Sequence, residues 1–219
     1  IEGTVVHVAV DRNYSGYLLI SDEIKPETKE AVKRLKELGV KNLAIVSGDD
    51  QIVVEKIARE IDVESFHAEL LPEDKVKILQ DYKDQYGVVA FAGDGINDAP
   101  VIANSDVGIS MGALGSDAAI ETADVVLMKD SMEAIPTSIE IARKTKKIIW
   151  QNIFFVFLVK GLFLTLGAMG LATLWWALFA DVGVALIAIF NSTRVLKYKN
   201  KGKITKVRNN ESLNNIIER

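Results

Sequence analysis

Three short stretches of the chain carry the residue types that phosphoryl chemistry needs. The apolar run Leu43-Ala44-Ile45-Val46 opens into Ser47-Gly48-Asp49-Asp50. A hydroxyl and a bare glycine amide after a buried strand, just ahead of a helix, suit a phosphate oxygen. Val88–Ala92 runs in the same way into Gly93-Asp94-Gly95-Ile96-Asn97-Asp98. Carboxylates bracketed by glycines at a strand end suit Mg2+, which takes oxygen ligands and keeps several waters. Between the two, Leu71-Pro72-Glu73-Asp74-Lys75 begins a helix and offers Lys75 as a cation to the same cluster. Each stretch alone also reads as an ordinary turn, Gly-Asp-Gly above all. Together, a hydroxyl, a lysine and a pair of aspartates in this order read as a magnesium-dependent phosphoryl-transfer site.

The elements that must hold these loops follow from the patterning. Short apolar runs at Val5–Val10, Tyr17–Ile20, Leu43–Val46, Val88–Ala92, Val107–Ser110 and Val125–Met128 predict strands. Amphipathic stretches at Pro26–Leu38, Gln51–Ile61, Pro72–Tyr86 and Asp98–Asn104 predict helices between them. The first has proline near its start and Gly39 just past its end, the expected punctuation, with Ala31, Leu35 and Leu38 as its apolar stripe. Alternation at this spacing predicts an α/β domain with a parallel sheet covered on both faces. In such sheets ligands bind beyond the carboxyl ends of the strands, where all three loops fall.

The chain's 219 residues and 26% charged content exclude wholesale disorder. No cysteine is present, which excludes disulfides, thiolate metal ligands and a cysteine nucleophile within this chain. Two histidines, His7 and His67, are a poor basis for a zinc site. The net charge of −4 averages two unlike parts. Residues 1–142 hold 13 Lys/Arg against 27 Asp/Glu, whereas residues 143–219 hold 13 against 3. Two regions with different surroundings are implied.

From Ile148 to Leu196 only Lys160, Asp181 and Arg194 are charged. The stretch suits two spans, near Ile148–Gly167 and Trp175–Leu196, since about 20 residues cross the hydrocarbon core. The competing reading is a buried helical hairpin of a soluble protein. Basic clusters flank both ends (Arg143, Lys144, Lys146 and Lys147; Lys197, Lys199, Lys201 and Lys203), and the turn between carries no charge. The positive-inside rule then puts both ends in the cytoplasm, with Trp175 and Trp176 at the outer boundary. Lys160 and Asp181 fall roughly 10 Å and 9 Å from the outer end at ~1.5 Å per residue. Neighbouring antiparallel helices would set them at one level. They form either a structural ion pair or a site where Asp181 binds a cation and Lys160 replaces it when the site empties. Small residues beside them favour close helix contact: Gly161, Thr165 and Ala168 on one helix, Gly183, Ala185 and Ala188 on the other.

Ser47-Gly48-Asp49, Leu71-Pro72-Glu73-Asp74-Lys75 and Gly93-Asp94-Gly95-Ile96-Asn97-Asp98-Ala99-Pro100 resemble the phosphorylation domain of P-type ATPases, which has the haloacid-dehalogenase-like (Rossmann-like) fold. Ser21-Asp22-Glu23-Ile24-Lys25-Pro26 looks like the segment that precedes this core, and the run Met111–Asp124 looks like the heavy-metal branch. The resemblance implies four segments. Residues 1–20 would end the nucleotide-binding domain, and 21–142 would be most of the phosphorylation domain. Residues 143–199 would be a transmembrane α-helical hairpin, and 200–219 a polar tail. Lys160, Asp181 and the following Asn191-Ser192-Thr193-Arg194 resemble the zinc/cadmium/lead exporters. Tyr-Asn in the first helix and a methionine with paired serines in the second, expected of copper exporters, do not occur.

The resemblance implies an integral protein of the plasma membrane that hydrolyses ATP through an aspartyl-phosphate. Asp94, Asn97 and Asp98 would hold Mg2+. Ser47 and Lys75 would hold the phosphoryl oxygens, with Gly48 and Asp49 in the same catalytic set, and Asp22, Gly93 and Gly95 would bind the cofactor. Asp181 would bind the transported Zn2+, Cd2+ or Pb2+, with Lys160 as counter-ion. A helix from Ser131 to Lys147 would lead into the first span and transmit motion. The expected partners are this ion, membrane lipid and the upstream part of the same pump; nucleic acid is not expected. The phospho-acceptor Asp-Lys-Thr-Gly-Thr, the membrane Cys-Pro-Cys and the actuator loop are absent, and the chain begins at Ile1. It therefore reads as the C-terminal part of a longer pump, inactive alone. Ser47 stands where the family more often has threonine, keeping the hydroxyl. The alternatives are a membrane-anchored non-catalytic remnant or regulatory subunit, or a copper- or cobalt-type pump. A hairpin-anchored phosphatase is weakest, since it lacks the nucleophilic aspartate.

Overall fold

A computed structural model describes residues 4–20, 24–93, 96–112, 121–171 and 173–196. Asp22, Asp94, Gly95, most of the 111–124 run and the tail lie outside the described residues. The chain divides into two units, Ile1–Ile139 and Glu140–Arg219.

The first unit opens with β1 (Thr4–Val10) and β2 (Asn13–Ile20), an antiparallel hairpin. Its two-residue loop, Asp11-Arg12, has both φ angles positive, at 51° and 67°, which matches the twist of paired strands. Strand–helix alternation therefore starts only after Ile20, a correction to the sequence reading. Two residues leave no room for a crossover helix.

The elements that follow are α1 (Glu27–Glu37), β3 (Ala44–Val46), α2 (Gln51–Glu60), β4 (Ser65–His67), α3 (Pro72–Tyr86), β5 (Ala90–Gly93), α4 (Ala99–Asn104), β6 (Val107–Met111) and β7 (Val125–Leu127). Pairing among β3 to β7 is parallel throughout, as expected, but in two pieces, β3-β4 and β5-β6-β7. Residues 65–67 were not foreseen as a strand, because Ser-Phe-His offers one apolar residue and no alternation.

Helix α1 ties the two pieces together. Acidic Glu27 and Glu30 lie in its first turn and basic Arg34 and Lys36 in its last, each complementing the helix dipole. Gly39, at φ +85°, ends it: the Gly39 N–H bonds the Lys36 carbonyl and the Val40 N–H bonds the Leu35 carbonyl. Leu35 packs with Ile109, Met111, Leu127 and Ile135, while Val32 packs with Ile61 and Val63. Arg34 donates to Glu133 Oε2 at 2.5 Å and Lys25, just before α1, to Asp130 Oδ2 at 2.5 Å, so α1 and its approach also hold the segment that precedes the helix starting at Ala134. At Gly108 the backbone of β6 runs against α4, where an added Cβ would lie 2.6 Å from the Ile102 carbonyl oxygen.

Helix α5 (Ala134–Ala168) is one continuous helix of 35 residues. The expected 131–147 helix and first span are therefore a single element, and Pro136 sits in its first turn, where a missing N–H costs nothing. Among the described residues, α5 is the helix long and apolar enough to cross a membrane. Helix α6 (Leu174–Ser192) has 19 residues, about 28 Å at 1.5 Å per residue, and continues as a 3-10 turn over Thr193–Val195. The second expected span thus ends as α-helix four residues short of Leu196.

Candidate functional site

Each predicted loop follows a strand of the first unit. After β3, the Ser47 N–H bonds the His67 carbonyl at 2.9 Å, the Leu70 N–H bonds the Ser47 carbonyl at 3.2 Å, and the Glu69 N–H bonds the Asp49 carbonyl at 2.9 Å. The loop after β3 is thereby stitched to the loop after β4. Gly48 packs tightly at this seam, where a Cβ would meet the Leu70 carbonyl oxygen at 3.1 Å. Glu69 takes a left-handed conformation, φ 55°, unusual for a non-glycine residue and concentrated at functional loops.

Leu71 is extended, as a residue before proline must be, and Pro72 starts α3. Lys75 comes one turn later. Its ammonium donates to Asp98 Oδ1 at 2.7 Å, with the two side chains 13% and 15% exposed. Asp98 ends the short 3-10 turn Ile96–Asp98 after β5. Gly93, the last residue of β5, makes this possible: a Cβ there would fall 2.8 Å from Asp98 Oδ2. The bare strand end lets the carboxylate lie against the backbone.

The three loops singled out in the sequence are thus joined in series. Ser47 and Gly48 are stitched to Leu70, Leu71 leads to Lys75, and Lys75 reaches Asp98. Asn97 lies beside Asp98 in the same turn. The donors are satisfied internally: Ser47 Oγ donates to Asp49 Oδ2 at 2.7 Å, and Lys75 is held by Asp98. Asp50 plays a different part, accepting from the Ile52 N–H at 2.8 Å as the N-cap of α2. Sequence reasoning missed His67, Glu69 and Leu70, which contribute backbone groups; the signal was Pro72, which fixes an extended approach to α3.

The electrostatic perturbations lie at the rim. Asp74, near the start of α3, is lowered below its ordinary 3.8 by its hydrogen bond from Lys77. Asp106 is lowered by accepting the Val89 N–H and by Lys83, fixing the approach to β5. Among the described residues, no cluster of three or more acidic or histidine groups forms a metal site.

In the second unit Lys160 on α5 and Asp181 on α6 face each other, Nζ to Oδ1, at 2.8 Å. They remain 56% and 67% exposed, so these two helices do not bury them. Phe163 on α5 stacks on Trp176 of α6, ring centroids 6.4 Å apart. Large apolar side chains along both helices stand exposed, Phe154, Phe157, Leu164 and Phe190 among them.

Residues 2–106 match a family model described as haloacid dehalogenase-like hydrolase. A zinc-transporting ATPase of Synechocystis sp. is 55% identical over 199 residues, which cover 90% of this chain and 28% of that protein. A cadmium, zinc and cobalt-transporting ATPase of Bacillus subtilis is 48% identical over 207 residues, 91% of this chain and 29% of that protein. The crystal structure of a zinc-transporting PIB-type ATPase in its E2.Pi state is similar with a TM-score of 0.75 at 38% identity, over 88% of this chain and 31% of that one. The chain spans somewhat under a third of the length of each of these proteins.

Proposed function

Because the chain belongs to the heavy-metal P-type ATPases, we propose that it is the part of an ATP-driven Zn2+/Cd2+ exporter that carries most of the phosphoryl-transfer loops and the last two membrane helices. The observation that carries this is the reach of the likeness: identity to a zinc-transporting relative runs over 90% of the chain, through both units. A copper-type pump is disfavoured by the same comparison. Pb2+ and Co2+ stay within the divalent class that a carboxylate site accepts, since a hard oxygen ligand alone does not select among them.

The phosphoryl site works by positioning and electrostatics. Ser47 Oγ and the Gly48 N–H donate to a phosphoryl oxygen, and Lys75 offsets its charge. Asp98 orients Lys75 until then. The residues fit Mg2+: the Asp98 carboxylate lies against the bare Gly93 backbone, next to Asn97, and supplies the oxygen ligands that this ion takes. Asp94, Asn97 and Asp98 would hold it, and when bound it neutralises charge on the phosphates of ATP. Asp22 and Gly95, outside the described residues, would help to bind the same cofactor.

Two features support an upstream part of the same pump as partner. Among the described residues, β3 and β5 each have one hydrogen-bonded neighbour, so each offers an edge to a further strand beside the site. The β1–β2 hairpin exposes Val6, Val8, Val10, Tyr14, Tyr17 and Leu18, too much apolar surface for a free two-stranded ribbon. A strand bearing the phospho-accepting aspartate, added at β3 or β5, would complete the site. This chain alone is then inactive.

In the hairpin, Asp181 binds the transported ion and Lys160 occupies the carboxylate when the ion leaves. The exposed apolar sides of α5 and α6 meet lipid and other helices of the pump in the plasma membrane, with the α/β unit and both chain ends cytoplasmic. The test is metal-stimulated ATP hydrolysis by the complete protein. Asp181→Ala abolishes stimulation while phosphorylation from inorganic phosphate survives; unchanged stimulation would reduce Asp181 to a structural partner of Lys160.

A further inference from the structure

The α5–α6 hairpin carries a second polar cluster that the ion-pair reading does not use. Asn191 Nδ2 donates to Asn152 Oδ1 at 2.7 Å. Asn152 Nδ2 donates to Ser192 Oγ at 3.0 Å and to the Ala188 carbonyl at 3.2 Å. Arg194 Nη1 donates to Asn191 Oδ1 at 2.9 Å, and Ser192 Oγ donates to the Ala188 carbonyl at 2.9 Å. Both amide oxygens therefore accept protein donors, and one directed chain of hydrogen bonds runs from the Arg194 guanidinium through Asn191 and Asn152 to the backbone of α6.

The cluster's place in the hairpin gives it a consequence. Lys160 follows Asn152 by eight residues on α5, and Asp181 precedes Asn191 by ten on α6. At ~1.5 Å per residue these are about 12 and 15 Å, so both contacts report one antiparallel alignment of the helices. Phe163 against Trp176 is a third contact in the same alignment. Apolar side chains on lipid-facing helices specify alignment weakly, because one greasy surface slides over another at little cost. An amide that loses its partner where water is scarce has no replacement. A slip of one helical turn would break every bond between Asn152 and α6 and carry Lys160 about 5 Å from Asp181.

We propose that Asn152 and Asn191 are positioning residues, an amide clamp that fixes the register of α5 against α6 and so keeps Lys160 opposite Asp181 whether or not an ion is bound. The Asn152 oxygen is committed to the Asn191 amide and the Asn191 oxygen to Arg194, which makes the two residues holders of the site and not ligands of the ion. The part concerning the ion rests on the exporter reading; the part concerning register stands without it.

The experiment uses the complete protein with Phe163→Cys and Trp176→Cys introduced as a cross-linking pair, in the parent and in Asn152→Ala, Asn191→Ala and Ser192→Ala backgrounds. Cross-linking yield reads register, and the zinc concentration for half-maximal ATP hydrolysis reads the ion site. Asn152→Ala and Asn191→Ala are expected to lower the yield and to raise half-maximal zinc by about three- to twentyfold, the range of interhelical hydrogen bonds in membranes, with a smaller change in turnover at saturating zinc. Ser192→Ala, which leaves Asn152 its Ala188 acceptor, falls between and remains informative if the amide variants do not fold. Unchanged yield overturns the clamp. A lowered yield with unchanged half-maximal zinc overturns the positioning role. Should Asp181→Ala leave zinc stimulation intact, the exporter reading of Asp181 fails, while the yield still decides the clamp.

Discussion

Lys75 Nζ and Asp98 Oδ1 are 2.7 Å apart across two loops that the sequence separates by 23 positions, and this ion pair joins the helix after β4 to the turn after β5. Both partners are largely withdrawn from solvent, 13% and 15% exposed, so the pair ties the two loops together.

Removing one member of such a pair leaves the other buried without a counter-charge. Lys75→Met is expected to lower stability by about 3–5 kcal/mol and to slow phosphoenzyme formation by about 10²–10³-fold. The double variant Lys75→Met/Asp98→Asn should regain much of the stability and none of the activity. Thermal unfolding and phosphorylation assays on the complete protein separate the two effects. Restored phosphorylation in the double variant would remove Lys75 from the reaction.

Gly93→Ala puts a methyl group 2.8 Å from Asp98 Oδ2, closer than atoms tolerate. The Asp98 carboxylate can swing away, but the Asp98 Cβ, 2.9 Å from the added methyl, moves only if the backbone of its turn shifts. The fold should survive at a cost of about 1–3 kcal/mol, while phosphorylation falls by about tenfold or more through misplacement. Normal phosphorylation with normal magnesium dependence would show that Asp98 has freedom the packing denies it.

Lys160→Ala separates a counter-ion from a mere structural partner. With Lys160 as displacing cation, its loss slows turnover because the ion leaves Asp181 less readily, and zinc retained per protein rises. Equilibrium zinc retention beside steady-state hydrolysis measures this. A fall in both, matched by a fall in the amount of folded protein, would assign the pair to structure alone.

Asp106 gives a pH prediction whose sign is fixed by its surroundings. The Val89 N–H, then Lys83, holds its carboxyl below the ordinary value of 3.8. The folded state therefore favours the carboxylate. That stabilisation is complete above 3.8 and is lost as pH falls through the lowered value. Asp106→Asn should be less stable than the parent near neutrality, and the difference should shrink below about pH 3.8. Urea midpoints at neutral and acid pH check this; a gap that widens in acid would show that Asp106 is not the group responsible.

The candidate site was legible in its parts and not in its assembly. Ser47, Lys75 and Asp98 stand out because glycine and proline mark strand ends and helix starts locally. The seam between Ser47 and Leu70 left no mark, since it is made of backbone groups, and β4 left almost none, since three residues carry no periodicity. The β1–β2 hairpin was mistaken for part of the alternation because its turn lacks glycine; Asp11 and Arg12 adopt positive φ without one. The 131–147 helix was expected to lead straight into the first span, and α5 runs through both without a break.

The sequence by itself determined the α/β patterning, the acidic and basic halves, the apolar hairpin and the residue types of the three candidate loops, because each is set by local chain chemistry or by composition. Tertiary structure decided which of those residues meet. Lys75 found Asp98, α1 bridged two sheet pieces through Leu35 and Val32, and Asn152 found Asn191. Such meetings depend on how whole elements pack, and a helix face or strand edge specifies a partner only once the rest of the fold has set the distance and register at which it is met.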